Sequence, residues 1–268
     1  MISVKLNEKS IEVEQGITLA ILADRHKPGA DVMVLNGFPA SGDTFLKEGD
    51  GVFLIKRGEL PEREELEAVM AARHTPGVHA RLKSACVGIA GVGGLGSAVA
   101  VALARVGVGQ LIIADFDVVE PSNLNRQQYF IDQLGHYKVD ALAENLARIN
   151  PFVRVDCHRA LLTPDNIPAI FSPCSIVVEA FDRAGMKAML VDTLLCAMPE
   201  ITVVAASGLA GYGPNNQIAT RRVSGKFYLV GDMVSEAKPG NGLMAPRVAI
   251  AAGHQANQVL RIILGELD

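Results

Sequence analysis

The segment Gly91-Val92-Gly93-Gly94-Leu95-Gly96 follows an apolar run, Val87-Gly88-Ile89-Ala90, and opens a second apolar stretch from Leu95 to Val106. Gly91, Gly93 and Gly96 fill the spacing G-x-G-x-x-G. A turn of this kind must be tight, must let backbone approach a phosphate, and must seat a helix close to a strand. A side chain obstructs each of these. The helix that starts there offers free N–H groups and a positive dipole end to an anion, with Gly94 part of the same cradle. Asp115 ends a second apolar strand, Leu111-Ile112-Ile113-Ala114, where an acid hydrogen-bonds a ribose diol. The arrangement suits any adenine nucleotide. The plain alternative is a glycine-rich turn without a ligand.

The continuation separates nucleotide chemistries. It reads Asp115-Phe116-Asp117-Val118-Val119-Glu120-Pro121-Ser122-Asn123-Leu124-Asn125-Arg126-Gln127. Hydride transfer breaks no phosphate bond and has no use for fixed cations here. Splitting ATP between its α- and β-phosphates does, because charge builds on phosphorus and on the leaving pyrophosphate. Arg126 and Lys138 are the candidate catalytic cations. Asp182, just beyond Val178-Glu179-Ala180-Phe181, is the candidate magnesium ligand, since ligands of such sheets bind at strand C-termini. The plain alternative is three surface charges.

Taken in order, G-x-G-G-L-G, D-F-D, S-N-L-N-R-Q, a lysine at a helix start and Ile149-Asn150-Pro151 resemble the motif series of the ThiF/MoeB group of the ubiquitin-activating-enzyme superfamily. The resemblance runs from about Arg81 to Leu264. It implies ATP and magnesium as cofactors. It implies that Asp115 binds ribose and that Asp117 is a second acid near the metal. Asn123 and Arg126 match a phosphate-contacting pair, beside Gln127; Lys138 matches the phosphate lysine and Asp182 the metal-binding aspartate. Gly91, Gly93, Gly94 and Gly96 complete the nucleotide-binding set. Arg73 loosely matches an arginine lent across a homodimer. Two features depart from the group. No C-x-x-C pair for zinc exists, and about Pro214 to Arg247, where relatives carry a covalently reacting cysteine, contains none.

These residues need a scaffold. From residue 84 onward, strands alternate with helices: Val87–Ala90, Leu95–Val106, Leu111–Asp115, Lys138–Ile149, Val153–Cys157, Ser175–Ala180, Ala184–Ala197, Ile201–Ala206. Near-continuous apolar strands in that order predict an α/β fold with a doubly wound, mostly parallel, Rossmann-like sheet over 84–268. Lys238-Pro239-Gly240-Asn241-Gly242 reads as a mobile loop that could cover a bound adenylate. Residues 1–58 differ. Alternating Ile2–Leu6 and Ile11–Val13 flank a turn, Thr18 caps a short helix, and strands follow at Val32–Leu35 and Val52–Ile55. The order predicts a small α+β (β-grasp) domain and resembles a ThiS-type ubiquitin-like sulfur carrier. A working carrier of that type ends in Gly-Gly; here Lys56-Arg57-Gly58-Glu59 continues the chain. The module is expected to be a docking or dimer-stabilising appendage. Residues 59–83, with Pro61 and acids behind it, are expected as a linker helix.

Composition closes off other classes. The 268 residues are 49% hydrophobic and 20% charged with net charge −4, which excludes disorder and gives no basic field for nucleic acid. Ser84 to Ala104 lacks charge, but its glycines fit a strand and helix better than a membrane span. Cys86, Cys157, Cys174 and Cys196 are widely spaced, as in a reducing, cytoplasmic compartment. Cys196 and Cys86 read as buried, inert thiols. The resemblance implies an adenylyltransferase acting on the C-terminal carboxylate of a small ubiquitin-like sulfur carrier in thiamine thiazole formation. The implied partners are that carrier, a second copy of the chain and a sulfur donor protein. An NAD-dependent oxidoreductase and a non-catalytic nucleotide-binding scaffold stay open as alternatives.

Overall fold

The structure is a computed structural model. It describes residues 1–266, the side chain of Glu64 excepted. The chain divides into two units, Met1–Ala80 and Arg81–Asp268.

The first unit begins with the hairpin β1 (Ile2–Leu6) and β2 (Lys9–Val13), then α1 (Leu19–His26), β3 (Val32–Leu35), a short β4 (Phe38–Pro39), β5 (Gly51–Ile55) and α2 (Arg63–Met70). The strands form one sheet in the order β2-β1-β5-β3-β4, with β1 and β5 parallel. Alternation assigns the faces. Val52 and Leu54 join Val4, Leu19 and Leu22 in a core beneath α1. Phe53 and Val34 point the other way and pack on Ala68 and Ala72. The segment expected as a linker therefore contributes α2 to this unit, covering the sheet's second face. Asn7 Nδ2 and Lys27 Nζ each lie 2.7 Å from the Glu65 carboxylate and pin the helix.

Helix α3 (Val78–Lys83) crosses the boundary between the units. The second unit continues with β6 (Cys86–Ala90), α4 (Gly94–Arg105), β7 (Gln110–Ala114), α5 (Lys138–Ile149), β8 (Arg154–His158), α6 (Ile167–Phe171), β9 (Ile176–Glu179), α7 (Ala184–Ala197) and β10 (Thr202–Ala206). The hairpin β11 (Ala219–Ser224) and β12 (Phe227–Gly231) and the long α8 (Ala245–Ile263) complete it. The sheet order is β11-β12-β10-β9-β6-β7-β8, parallel except for β11 at the edge. The sequence analysis names no strand where β11 and β12 lie, within the stretch from about Pro214 to Arg247. β12 instead pairs parallel with β10 from Val203↔Phe227 to Ala206↔Val230 and extends the sheet. Strand order reverses at β6, which pairs with β7 on one side and β9 on the other. Among the described residues no helix is long and apolar enough to cross a membrane.

Candidate functional site

A cavity of about 510 Å³ opens at the C-terminal ends of β6, β7, β9 and β10, at the reversal of strand order. This is where a doubly wound sheet leaves a crevice, because the helices after β6 and β9 depart to opposite faces. Its lining includes Gly91, Gly93, Gly94, Asp115, Asp117, Arg126, Gln127, Lys138 and Asp182. The fold thus gathers onto one wall system residues spread over more than ninety positions.

The glycine turn is built as its spacing demands. Gly91 sits at φ +86°, where an L side chain is strained. A Cβ on Gly96 would overlap the Gly91 carbonyl oxygen, so that residue is needed for close helix–strand packing; it lies behind the cavity wall. Val92 N–H donates to Asp115 Oδ2 at 2.8 Å and Asp117 N–H to Asp115 Oδ1 at 2.9 Å. Asp115 thereby clamps the turn to the end of β7. Burial pushes its carboxyl up, opposed by those two N–H donors and by the Lys138 charge. Tyr129 Oη donates to the Val92 carbonyl at 2.6 Å, and burial pushes that phenol far up.

The cations differ in their surroundings. Lys138, the first residue of α5, is buried with Nζ 2.8 Å from Asp117 Oδ2. Arg126 Nη1 donates to Ser122 O at 3.1 Å and Asn125 Oδ1 at 2.8 Å, both exposed contacts. Gln127 is buried, and its Oε1 has no hydrogen-bond partner among the described residues, an acceptor available to a ligand. Asn123, expected from the resemblance to touch phosphate, is not among the lining residues. Its Oδ1 accepts from Glu120 N–H at 3.0 Å and caps the turn Pro121–Asn123, which aims the side chain inward.

Asp182 lines the cavity just past the end of β9, and among the described residues it makes no ion pair. A hard carboxylate oxygen there suits magnesium, which takes one or two carboxylates plus phosphate oxygens and water. No group of three or more His, Cys, Asp or Glu is assembled among the described residues, so phosphate would have to complete such a site. Flanking Asp182 in the chain are two residues that the sequence analysis did not single out. Glu179 is fully buried and Lys187 Nζ is 3.0 Å from both its oxygens. The available signal was a charged residue ending an otherwise apolar strand.

The cavity's outer wall is Met233–Ala237 with Leu243, rather than the 238–242 loop. That wall is anchored by Asp232, whose Oδ1 accepts from the N–H groups of Val234 and Ser235 at 2.8 Å. Arg247, buried in the first turn of α8, reaches Asp232 Oδ2 at 2.7 Å and Gly213 O at 2.7 Å. His254 meets Thr220 Oγ1 at 3.0 Å, a packing contact to β11.

The cysteines stand apart from the cavity. Cys86 and Cys174 face each other at 3.6 Å, and burial pushes both thiols up. Cys157 is pushed up to about 11, also by burial. Cys196, expected to be buried, is exposed: α7 buries Leu190 and Leu194, and a residue two positions on lies nearly opposite them around the helix.

The fold and the cleft together define a doubly wound α/β domain whose switch point carries a glycine turn with cations and carboxylates around it, preceded in the chain by a separate β-grasp unit. The family profile of ThiF matches residues 67–268, and that of ThiS-like ubiquitin matches residues 2–58. The chain belongs to the ThiF family. It is 36% identical over 130 residues to "Adenylyltransferase and sulfurtransferase uba4" of Pyricularia oryzae, covering 48% of this chain and 26% of that one. It is 35% identical over 118 residues to "Probable adenylyltransferase/sulfurtransferase MoeZ" of Mycobacterium tuberculosis, covering 44% and 30%. The matched stretch thus spans between a quarter and a third of those relatives' own length. Among solved structures, E. coli tRNA N6-threonylcarbamoyladenosine dehydratase, TcdA, in complex with AMP superposes with a TM-score of 0.66 and 25% identity. That similarity covers 74% of this chain and 93% of TcdA.

Proposed function

We infer that the chain is an adenylyltransferase that activates the C-terminal carboxylate of a ThiS-type sulfur carrier protein with ATP and releases pyrophosphate. The observation that carries this reading is the convergence of Lys138, Arg126 and Asp182 on the cleft that also holds the glycine turn. Hydride transfer would leave those three groups idle. The adenylyltransferase names of the uba4 and MoeZ relatives and the AMP in TcdA support it.

On this reading the nucleotide's phosphates lie against the N–H groups at the start of α4, and Asp115 takes the ribose. The carrier's carboxylate, already ionised near pH ~7, attacks the α-phosphorus and needs no general base. The bond to the β-phosphate breaks, pyrophosphate leaves and a carrier acyl-adenylate forms. Lys138 and Arg126 counter the charge on phosphorus and leaving group. Asp182 would hold magnesium, which supplies charge neutralisation between the phosphates. Residues 1–58 serve as an appendage, because no diglycine end exists there to carry sulfur. We assign the adenylation domain to 84–268; of the segment 59–83 that precedes it, α2 belongs to the first unit. We place the protein in a reducing cytoplasm as a homodimer, with a separate protein donating sulfur and thiamine thiazole formation as the pathway.

ATP–pyrophosphate exchange driven by a diglycine-ended carrier tests this. Mass spectrometry of the carrier should show the added adenylate, and Arg126→Ala should lower exchange by about two orders of magnitude, ~3 kcal/mol. No exchange and no mass shift with any such carrier overturns the reading. Stabilisation by NAD but not by ATP with magnesium in a thermal-shift titration would favour the oxidoreductase.

A further inference from the structure

Glu179 closes β9 at zero exposure. A carboxylate in such a place costs several kcal/mol unless its oxygens are met. They are met closely. Phe181 N–H donates to Oε1 at 2.7 Å, Ala206 N–H to Oε2 at 3.4 Å, and Lys187 Nζ to both oxygens at 3.0 Å. Lys187 gives a further hydrogen bond to the Ala206 carbonyl at 3.1 Å. The pair therefore ties the end of β9 to the end of β10 and to the first turn of α7.

Asp182 lies inside the loop this pair closes. The start of α7 at Ala184 has no side-chain cap, since Arg183 makes no capping hydrogen bond. Glu179 and Lys187 take over that anchoring from the two ends of the turn. Lys187 borders the cavity, yet its ammonium is committed to three oxygens and is placed to hold the turn rather than to meet a ligand. A purely packing role could be filled as well by two apolar side chains of similar volume, because buried ion pairs seldom outperform them in stability.

We propose that Glu179 and Lys187 are positioning residues for Asp182, fixing the 180–186 turn so that the Asp182 carboxylate reaches a divalent cation carried by a nucleoside triphosphate. The proposal rests on the reading of Asp182 as metal ligand and names what orients it. Support of this kind from outside the ligand set governs metal affinity by about ten- to a hundredfold.

The test is titration calorimetry of ATP on the full chain, with magnesium and with a chelator in its place. The variants are Lys187→Met, Lys187→Arg, Asp182→Asn and the double change Glu179→Leu with Lys187→Met, which removes both charges and keeps the fold testable if the single change does not. The gain in ATP affinity on adding magnesium should fall about tenfold in Lys187→Met and in the double variant. It should return in Lys187→Arg, while ATP binding under chelator stays as in the parent. A folded double variant with the full magnesium gain overturns the proposal. So does a loss of equal size with and without magnesium, which marks a merely structural pair. No magnesium gain in the parent, or an undiminished gain in Asp182→Asn, sinks the reading of Asp182 itself, and the proposal falls with it.

Discussion

Lys138 Nζ stands 2.8 Å from Asp117 Oδ2, and the same lysine's backbone N–H donates to the Asp117 carbonyl at 2.9 Å. The contact places a cation at the first residue of a helix, where the dipole opposes it. Its side chain is only 7% exposed. The Asp117 carboxylate offsets both penalties, and a bound phosphate would do the same. The lysine thus lines the cavity with its ammonium already paired to Asp117.

Lys138→Ala is expected to lower carrier-dependent pyrophosphate exchange about a hundredfold, ~3 kcal/mol of transition-state stabilisation. The unfolding midpoint should move by only a few degrees, because the variant also removes a buried charge and an unfavourable helix-dipole contact. Unchanged exchange in a folded variant would remove Lys138 from the machinery.

Gly96→Ala should abolish nucleotide binding without touching the cavity surface. The added Cβ would collide with the Gly91 carbonyl oxygen, so α4 must slide off β6 and carry its free N–H groups with it. Overpacking of this kind costs about 1–3 kcal/mol. Calorimetry with ATP and magnesium checks it; parental affinity would show that the turn tolerates the shift.

Acid sensitivity should trace to Asp232. Burial alone would raise its carboxyl, but hydrogen bonds from the Ser235 hydroxyl, the Ser235 and Val234 N–H groups and Arg247 prevail. They bring it from 3.8 to about 2. A depressed folded value adds stability above the unfolded value, and that stability drains away as pH falls from 3.8 toward about 2. Asp232→Asn should therefore melt lower than the parent at neutral pH, with the two midpoints converging across that window. Parallel curves would refute the assignment.

Ala68→Asp should detach α2 from the first unit's sheet. Ala68 is 7% exposed against Phe53 and Val34, and an unpaired charge cannot stay there. Hydrogen exchange of the Val52, Phe53 and Leu54 amides should speed up. Unaltered protection would show that α2 contributes nothing to this unit.

Local signals are readable in the sequence itself. The glycine turn between Ala90 and Leu95 announces itself because strand, turn and helix start are contiguous and each demands its own residue types. Asp115 and Asp182 are readable as acids just beyond apolar strands, and the parallel sheet follows from strands too apolar to face water. Asn123 shows the limit of such reading. Its motif is intact, yet its side chain closes a turn three residues back and is not among those lining the cavity. Cys196 shows another, since its apolar neighbours on α7 sit on a different side of the helix.

Chain order and residue type alone point to a glycine-cradled α/β domain following a β-grasp module without a diglycine end, because the succession of strand and helix patterns and the turn chemistry are written in neighbouring residues. Folding settles what those contacts cannot reach. It seats β12 beside β10, spends α2 on the first unit's sheet, joins Asp232 to Arg247, and closes Glu179 on Lys187 around the turn that carries Asp182. Each of these depends on burial between separate elements rather than within one, where the free energy of removing charge and apolar surface from water, rather than local propensity, selects the partner.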